Sequence, residues 1–92
     1  MLESQIERYF CRKVRESGGL ALKLSPAGTA GLPDRLVLLP GRRIAFVELK
    51  APGKKPRPLQ QKRINELQKL GFRAVCLDSY QKVDAFLEAV FE

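Results

Sequence analysis

Apolar residues recur at three- and four-residue spacing in the first stretch of the chain, at Leu2, Ile6, Tyr9, Phe10 and Val14. This periodicity predicts an amphipathic helix from Glu3 to about Ser17, stopped by Gly18-Gly19. The period then changes. Leu20 to Leu24 reads as a short strand, and the loop from Ser25 to Pro33 holds enough glycine and small residues for the backbone to pass close to a ligand. Two aliphatic runs, within 31–39 and 44–50, are joined by Pro40-Gly41-Arg42-Arg43 and read as a hairpin. Ala51 to Pro58 is held extended by its prolines. A second helix is expected from Leu59 to Leu70, with Leu59, Ile64, Leu67 and Leu70 buried and Gly71 as its stop. Arg73 to Leu77 is a further strand, and Ser79 or Asp78 caps a last helix that runs through Phe91. Strand 44–49, helix 59–70 and strand 73–77 form a right-handed crossover between parallel strands. The predicted fold class is α/β, a mixed four-stranded sheet flanked by helices, in one domain spanning residues 1–92.

Three charges interrupt the hairpin. Asp34 stands at the entrance of its first strand, and Glu48 and Lys50 stand at the exit of the second. Alternation of side chains, with a rise of about 3.3 Å per residue, puts Glu48 and Lys50 on one face roughly 6.5 Å apart. Antiparallel pairing brings the start of one strand beside the end of the next, so Asp34 can approach Glu48. Two adjacent carboxylates repel unless a cation or a shared proton intervenes, and a hard divalent metal is the usual solution. Lys50 could serve such a site or simply pair with Glu48.

Composition narrows the chemistry. The 92 residues contain 17 Lys and Arg against 10 Asp and Glu, a net charge of +7, which favours an anionic polymer or an acidic membrane surface as partner. Much of that charge lies between Arg42 and Arg63, where Glu48 is the one acid. Within this stretch Lys54, Lys55, Arg57, Lys62 and Arg63 are candidate phosphate contacts. Histidine is absent, which excludes any His-based acid, base, metal site or triad. Two distant cysteines suggest neither zinc site nor disulfide framework. With no signal-peptide layout and no apolar run of transmembrane length, a cytoplasmic protein without membrane contact is expected.

The combination Gly31-Leu32-Pro33-Asp34-Arg35, then Phe46-Val47-Glu48-Leu49-Lys50-Ala51-Pro52-Gly53-Lys54-Lys55, then Gln60 opening a helix, resembles the VRR-NUC family. That family belongs to the PD-(D/E)xK, restriction-endonuclease-like superfamily. The resemblance covers nearly the whole chain and is to the minimal, stand-alone members of bacteriophages and bacteria. It implies that Asp34 and Glu48 ligate Mg²⁺ or Mn²⁺, that the carbonyl of Leu49 completes the shell, and that Lys50 positions or activates water. It also implies an assisting acid on the first helix, at Glu3 or, on the same flank, Glu7, and a role for Gln60 in orienting Lys50 or its water.

The expected function is therefore that of a metal-dependent DNA endonuclease, structure-selective on branched DNA such as Holliday junctions. The competing reading is a non-catalytic nucleic-acid-binding module of the same fold. Two matched cuts on opposing strands of a junction call for a homodimer. Val83, Phe86, Leu87, Val90 and Phe91 of the last helix either complete the core or offer apolar surface to a second copy.

Overall fold

The computed structural model describes residues 1–25 and 28–92; Pro26 and Ala27, part of the loop expected to approach a ligand, lie outside the described residues. The elements follow in the order α1 (Glu3–Glu16), β1 (Leu20–Lys23), β2 (Arg35–Leu39), β3 (Arg43–Leu49), α2 (Pro58–Lys69), β4 (Arg73–Leu77) and α3 (Tyr80–Val90). The four strands form one sheet in the order β1-β2-β3-β4. β1 and β2 run antiparallel, as do β2 and β3, whereas β3 and β4 are parallel. This is the mixed α/β sheet that the hydrophobic pattern implies. The β2–β3 connection turns through two left-handed residues, Gly41 with φ 79° and Arg42 with φ 62°. Ser79 caps α3, its hydroxyl oxygen accepting from the Lys82 N–H at 3.1 Å.

One face of the sheet carries the core. Ile6, Phe10 and Val14 of α1 and Val83, Phe86, Leu87 and Val90 of α3 pack on Val37, Leu39, Ala45, Val47, Leu49 and Leu77. The apolar stripe of α3 thus completes this core, and only Phe91 beyond its end is exposed. Leu2, counted with the apolar face of α1, lies before the first turn and is exposed.

The other face is only half covered. α2 packs against β4, and Phe72 meets Phe46 edge-on with ring centroids 5.7 Å apart. Toward β1, the cross-strand rows Leu20–Leu38–Ile44 and Leu22–Leu36–Phe46 lie on this open face. Leu20 is 59% exposed, Leu22 43% and Ile44 42%.

This placement changes the expected core of α2. Ile64 and Gln60 are buried, but Leu59 and Leu70 are exposed, the latter to 73%. A helix resting mainly on the edge strand of a sheet buries a narrow stripe. Leu59 packs instead against Gly31, where φ is +82° and an added Cβ would stand 2.8 Å from Leu59 Cγ. Pro58, assigned from sequence to the extended loop, begins α2, a position where its missing N–H costs nothing. Among the described residues, no helix is long and apolar enough to cross a membrane.

Packing sorts the apolar positions by what their removal should cost. Phe10→Ala, at a fully buried site, should destabilise the protein by about 3–5 kcal/mol. Leu70→Ala should lie within about 0.5 kcal/mol of wild type. Urea denaturation of both variants checks the contrast, and a large loss from Leu70→Ala would show that α2 buries a wider face.

Candidate active site

The hairpin brings Asp34 and Glu48 together as β-register requires. Arg35 pairs with Val47, so Asp34, one residue earlier, stands opposite Glu48. The Asp34 N–H donates to Glu48 Oε1 at 3.2 Å, and Asp34 Oδ2 accepts from the Leu49 N–H at 3.0 Å. Each carboxylate is therefore held by the backbone beside the other. Glu48 is only 2% exposed, and its second oxygen, Oε2, is shared. Lys50 Nζ stands 3.3 Å from it, and Gln60 Nε2 donates to it at 3.1 Å.

Gln60 links this carboxylate to α2. Its Oε1 accepts from the Arg57 N–H at 2.8 Å, satisfying one of the otherwise unpaired donors at the helix N-terminus. The amide is thus oriented from behind, with its NH₂ aimed at Glu48. Burial pushes the Glu48 carboxyl above the ordinary carboxylate range; the nearby Asp34 charge adds to this, and Lys50 opposes it. A cleft of about 180 Å³ opens here, with Pro33, Asp34, Arg57 and Gln60 among its lining.

The adjacent carboxylates of Asp34 and Glu48 are hard oxygen donors, the chemistry suited to Mg²⁺ or Mn²⁺ rather than to zinc. Raised basicity on Glu48 and mutual repulsion with Asp34 are both relieved by a cation, so the residues present fit such an ion. Among the described residues, no group of three or more acidic, His or Cys side chains converges on a possible metal position. Neither α1 acid joins the pair as a third carboxylate: Glu3 is exposed in the first turn, while Glu7 lies 3.5 Å from Arg35 Nη2.

The basic residues divide. Lys54, Lys55, Arg57 and Lys62 are exposed along the loop and the start of α2. Arg63 is engaged within the fold, its Nε donating to the Ala30 carbonyl and its Nη1 to Glu66 Oε1. Two structural partners were not evident from the sequence. Arg35 ties α1 to the sheet beside Asp34, through Glu7 and the Ala21 carbonyl at 3.1 Å. Asp78, a possible helix cap by its position, instead accepts from the Gly53 N–H at 3.0 Å and pins the basic loop to the end of β4. Lys82, and then that N–H, hold its carboxyl below the usual range. Neither partnership has a local sequence signal, because each joins residues far apart in the chain.

An Asp at the entry of one strand, Glu-x-Lys at the exit of its antiparallel neighbour and a Gln on the following crossover helix, all on a mixed sheet, are the arrangement of restriction-endonuclease-like nucleases. No family model matches the chain. It is similar to the protein described as "Putative nuclease p44" of Acyrthosiphon pisum secondary endosymbiont phage 1, with 46% identity over 88 residues, covering 96% of this chain and 94% of the relative. A solved structure described as "VRR_NUC domain" matches with a TM-score of 0.87 and 36% identity, covering 94% of each chain. The chain belongs to the VRR-NUC family of nucleases.

The Glu48 environment sets a sign for pH. Because its pKa is raised in the fold, its protonated form favours folding. That contribution is fully present below the unfolded value of about 4.3 and is lost as pH rises through the raised folded value. Carboxyl ¹³C NMR of the metal-free protein should show Glu48 titrating above the exposed glutamates, and Asp34→Asn should move that titration down. An unshifted Glu48 in both proteins would contradict its burial and its repulsion by Asp34.

Proposed function

We propose that this chain is a Mg²⁺- or Mn²⁺-dependent DNA endonuclease, selective for branched structures such as four-way junctions, and that it works as a homodimer in the cytoplasm of a bacterial or phage-infected cell. The observation that carries this reading is the contact between Asp34 and Glu48 with Lys50 and Gln60 on the same carboxylate, beside a basic loop. The alternative, a binding module without catalysis, leaves that costly buried arrangement without a use.

In this reading Asp34, Glu48 and the Leu49 carbonyl hold the metal. When bound, the ion acts as a Lewis acid on the scissile phosphate and lowers the pKa of a coordinated water. Lys50, whose ammonium lies 3.3 Å from Glu48 Oε2, would in this reading hydrogen-bond the attacking water and a phosphate oxygen. Gln60 keeps Glu48 in position and acts through it. Glu7 is occupied by Arg35, so Glu3 is the α1 acid left available to assist. Lys54, Lys55, Arg57 and Lys62 carry the phosphates of the substrate, and Arg63 braces the loop before β2. Phosphate-contacting residues of this kind read shape rather than base sequence.

Dimerisation is supported by the open sheet face. Leu20, Leu22 and Ile44 expose apolar surface in adjacent rows, of the sort that marks an interaction site. A two-fold pair of such faces would supply the two active sites that symmetric junction cleavage needs.

Cleavage of linear, flapped, nicked and four-way DNA, with and without Mg²⁺ or Mn²⁺, tests the activity. Asp34→Asn and Glu48→Gln should each lower turnover by a factor on the order of 10² or more, since several kcal/mol of transition-state stabilisation go with the metal. Lys50→Ala should abolish turnover while retaining Ca²⁺ binding, and Gln60→Ala should lose roughly ten- to a hundredfold. Glu3→Gln should impair cleavage more than Glu7→Gln, and the reverse order would move the assisting role to Glu7. Near-normal cutting by Asp34→Asn at saturating metal would defeat the site.

Neutralising Lys54, Lys55 and Arg57 together should flatten the salt dependence of DNA binding by about 0.9 per lost phosphate contact on duplex. An unchanged slope would move the DNA path elsewhere. Sedimentation equilibrium should give a dimer for the wild type and a monomer for a Leu22→Lys/Ile44→Lys variant. A wild-type monomer that nicks linear duplex as readily as a junction would overturn both the assembly and the selectivity.

A further inference from the structure

A second basic site lies on the opposite side of the sheet from α2, where α1 meets the start of α3. Gln5, Arg8, Tyr9, Arg12 and Tyr80 line a cavity of about 310 Å³. Tyr9 and Tyr80 are stacked, with ring centroids 4.2 Å apart and an interplanar angle of 24°. Arg12 Cζ stands 5.3 Å from the centre of the Tyr9 ring. The Tyr9 hydroxyl donates to Asp84 Oδ1 at 2.6 Å, which anchors that ring to α3. Tyr80 is only half-buried and forms an aromatic wall of the cavity.

The charges here are not neutralised. Arg8 and Arg12 are four residues apart and share one flank of α1, an arrangement that destabilises an isolated helix. Among the described residues neither has a carboxylate within ion-pair distance. An anion between them would relieve the repulsion, and a guanidinium pair suits phosphate in particular.

The cavity also adjoins the catalytic end of the sheet. Glu7, next to Arg8, is paired with Arg35, which directly follows Asp34. Tyr80 follows Leu77 by three residues, and the Leu77 carbonyl accepts from the Lys50 N–H at 3.1 Å. Three residues span at most about 10 Å, so a strand with a phosphate at the candidate active site could reach this cavity within a few nucleotides.

We propose that this cavity binds an unpaired nucleotide of the DNA substrate next to the cleavage site, with Arg8 and Arg12 on its phosphates and its base against Tyr80. Stacking on an aromatic wall is tolerant of base identity, and it requires a base released from its pair, as at a junction or flap. The inference rests on DNA being the substrate, and it adds a way in which unpaired strands are selected.

Fluorescence anisotropy in EDTA, with a short labelled oligothymidine and a hairpin duplex as probes, tests the site without any cleavage. Arg8→Gln/Arg12→Gln should weaken oligothymidine binding about tenfold and reduce its salt slope by about 1.4, two contacts at about 0.7 each. Tyr80→Leu should cost a further class of contact: about tenfold on oligothymidine, no change in salt slope, and less than about twofold on duplex. Tyr80→Phe, which keeps the stack, should match wild type. Unchanged affinity and slope in the double Arg variant would overturn the phosphate site, and equal losses on both probes with Tyr80→Leu would overturn the stacking. If these losses occur but the wild type cuts no DNA with Mg²⁺ or Mn²⁺, the nuclease reading fails and the strand site stands. Metal-dependent cutting with unaltered binding in all variants removes the strand site alone.

Discussion

The buried carboxylate of Glu48 is the group on which the arrangement of this protein turns. It lies almost wholly out of solvent beside a second acid, a position that disfavours its charge unless donors surround it. The donors come from three separate parts of the chain: the Asp34 backbone before β2, Lys50 at the end of β3, and Gln60 in the first turn of α2. Satisfying one side chain thus fixes the hairpin register, the direction of the chain leaving β3 and the seating of the crossover helix. That Gln60 simultaneously accepts from the Arg57 N–H makes the start of α2 part of the same network.

The sheet divides the remaining tasks between its faces. The side covered by α1 and α3 is closed by a full apolar core. The opposite side is covered by α2 mainly over β4, with Gln60 reaching Glu48 of β3, and Leu20, Leu22 and Ile44 are left exposed. Basic groups stand near the Asp34–Glu48 end of the sheet in the loop pinned by Asp78 to β4 and on the outer flank of α1. Part of the net charge of +7 in 92 residues lies on these two surfaces, while Arg42, Arg43 and Arg73 stand at the opposite end of the sheet, beside the β2–β3 turn.

Several features were legible from residue order because they depend on local rules. Periodicities of 2 and 3.6 identify the strands and helices, and β4 has the bounds, Arg73 to Leu77, that residue order predicts. Asp34, Glu48 and Lys50 could be placed together because a hairpin brings its two strand ends into proximity by geometry. Gln60 was legible as a candidate because it opens the helix that follows the Glu-x-Lys strand.

Residue order settles the alternation, the hairpin and the types of charge available, since these involve neighbours along the chain or across one short turn. Which apolar faces are used up depends on how the elements pack. Leu59 and Leu70 have the spacing of core residues, yet α2 rests mainly over β4 and leaves them outside; the stripe of α3, which could have been either core or interface, is core. That packing also decided the pairing of Glu7 with Arg35 and of Asp78 with Gly53, and it stacked Tyr9 on Tyr80, which lie 71 positions apart in the chain. Burial and long-range polar contacts depend on where whole elements come to rest, and periodicity within an element carries no information about the partner that will cover it.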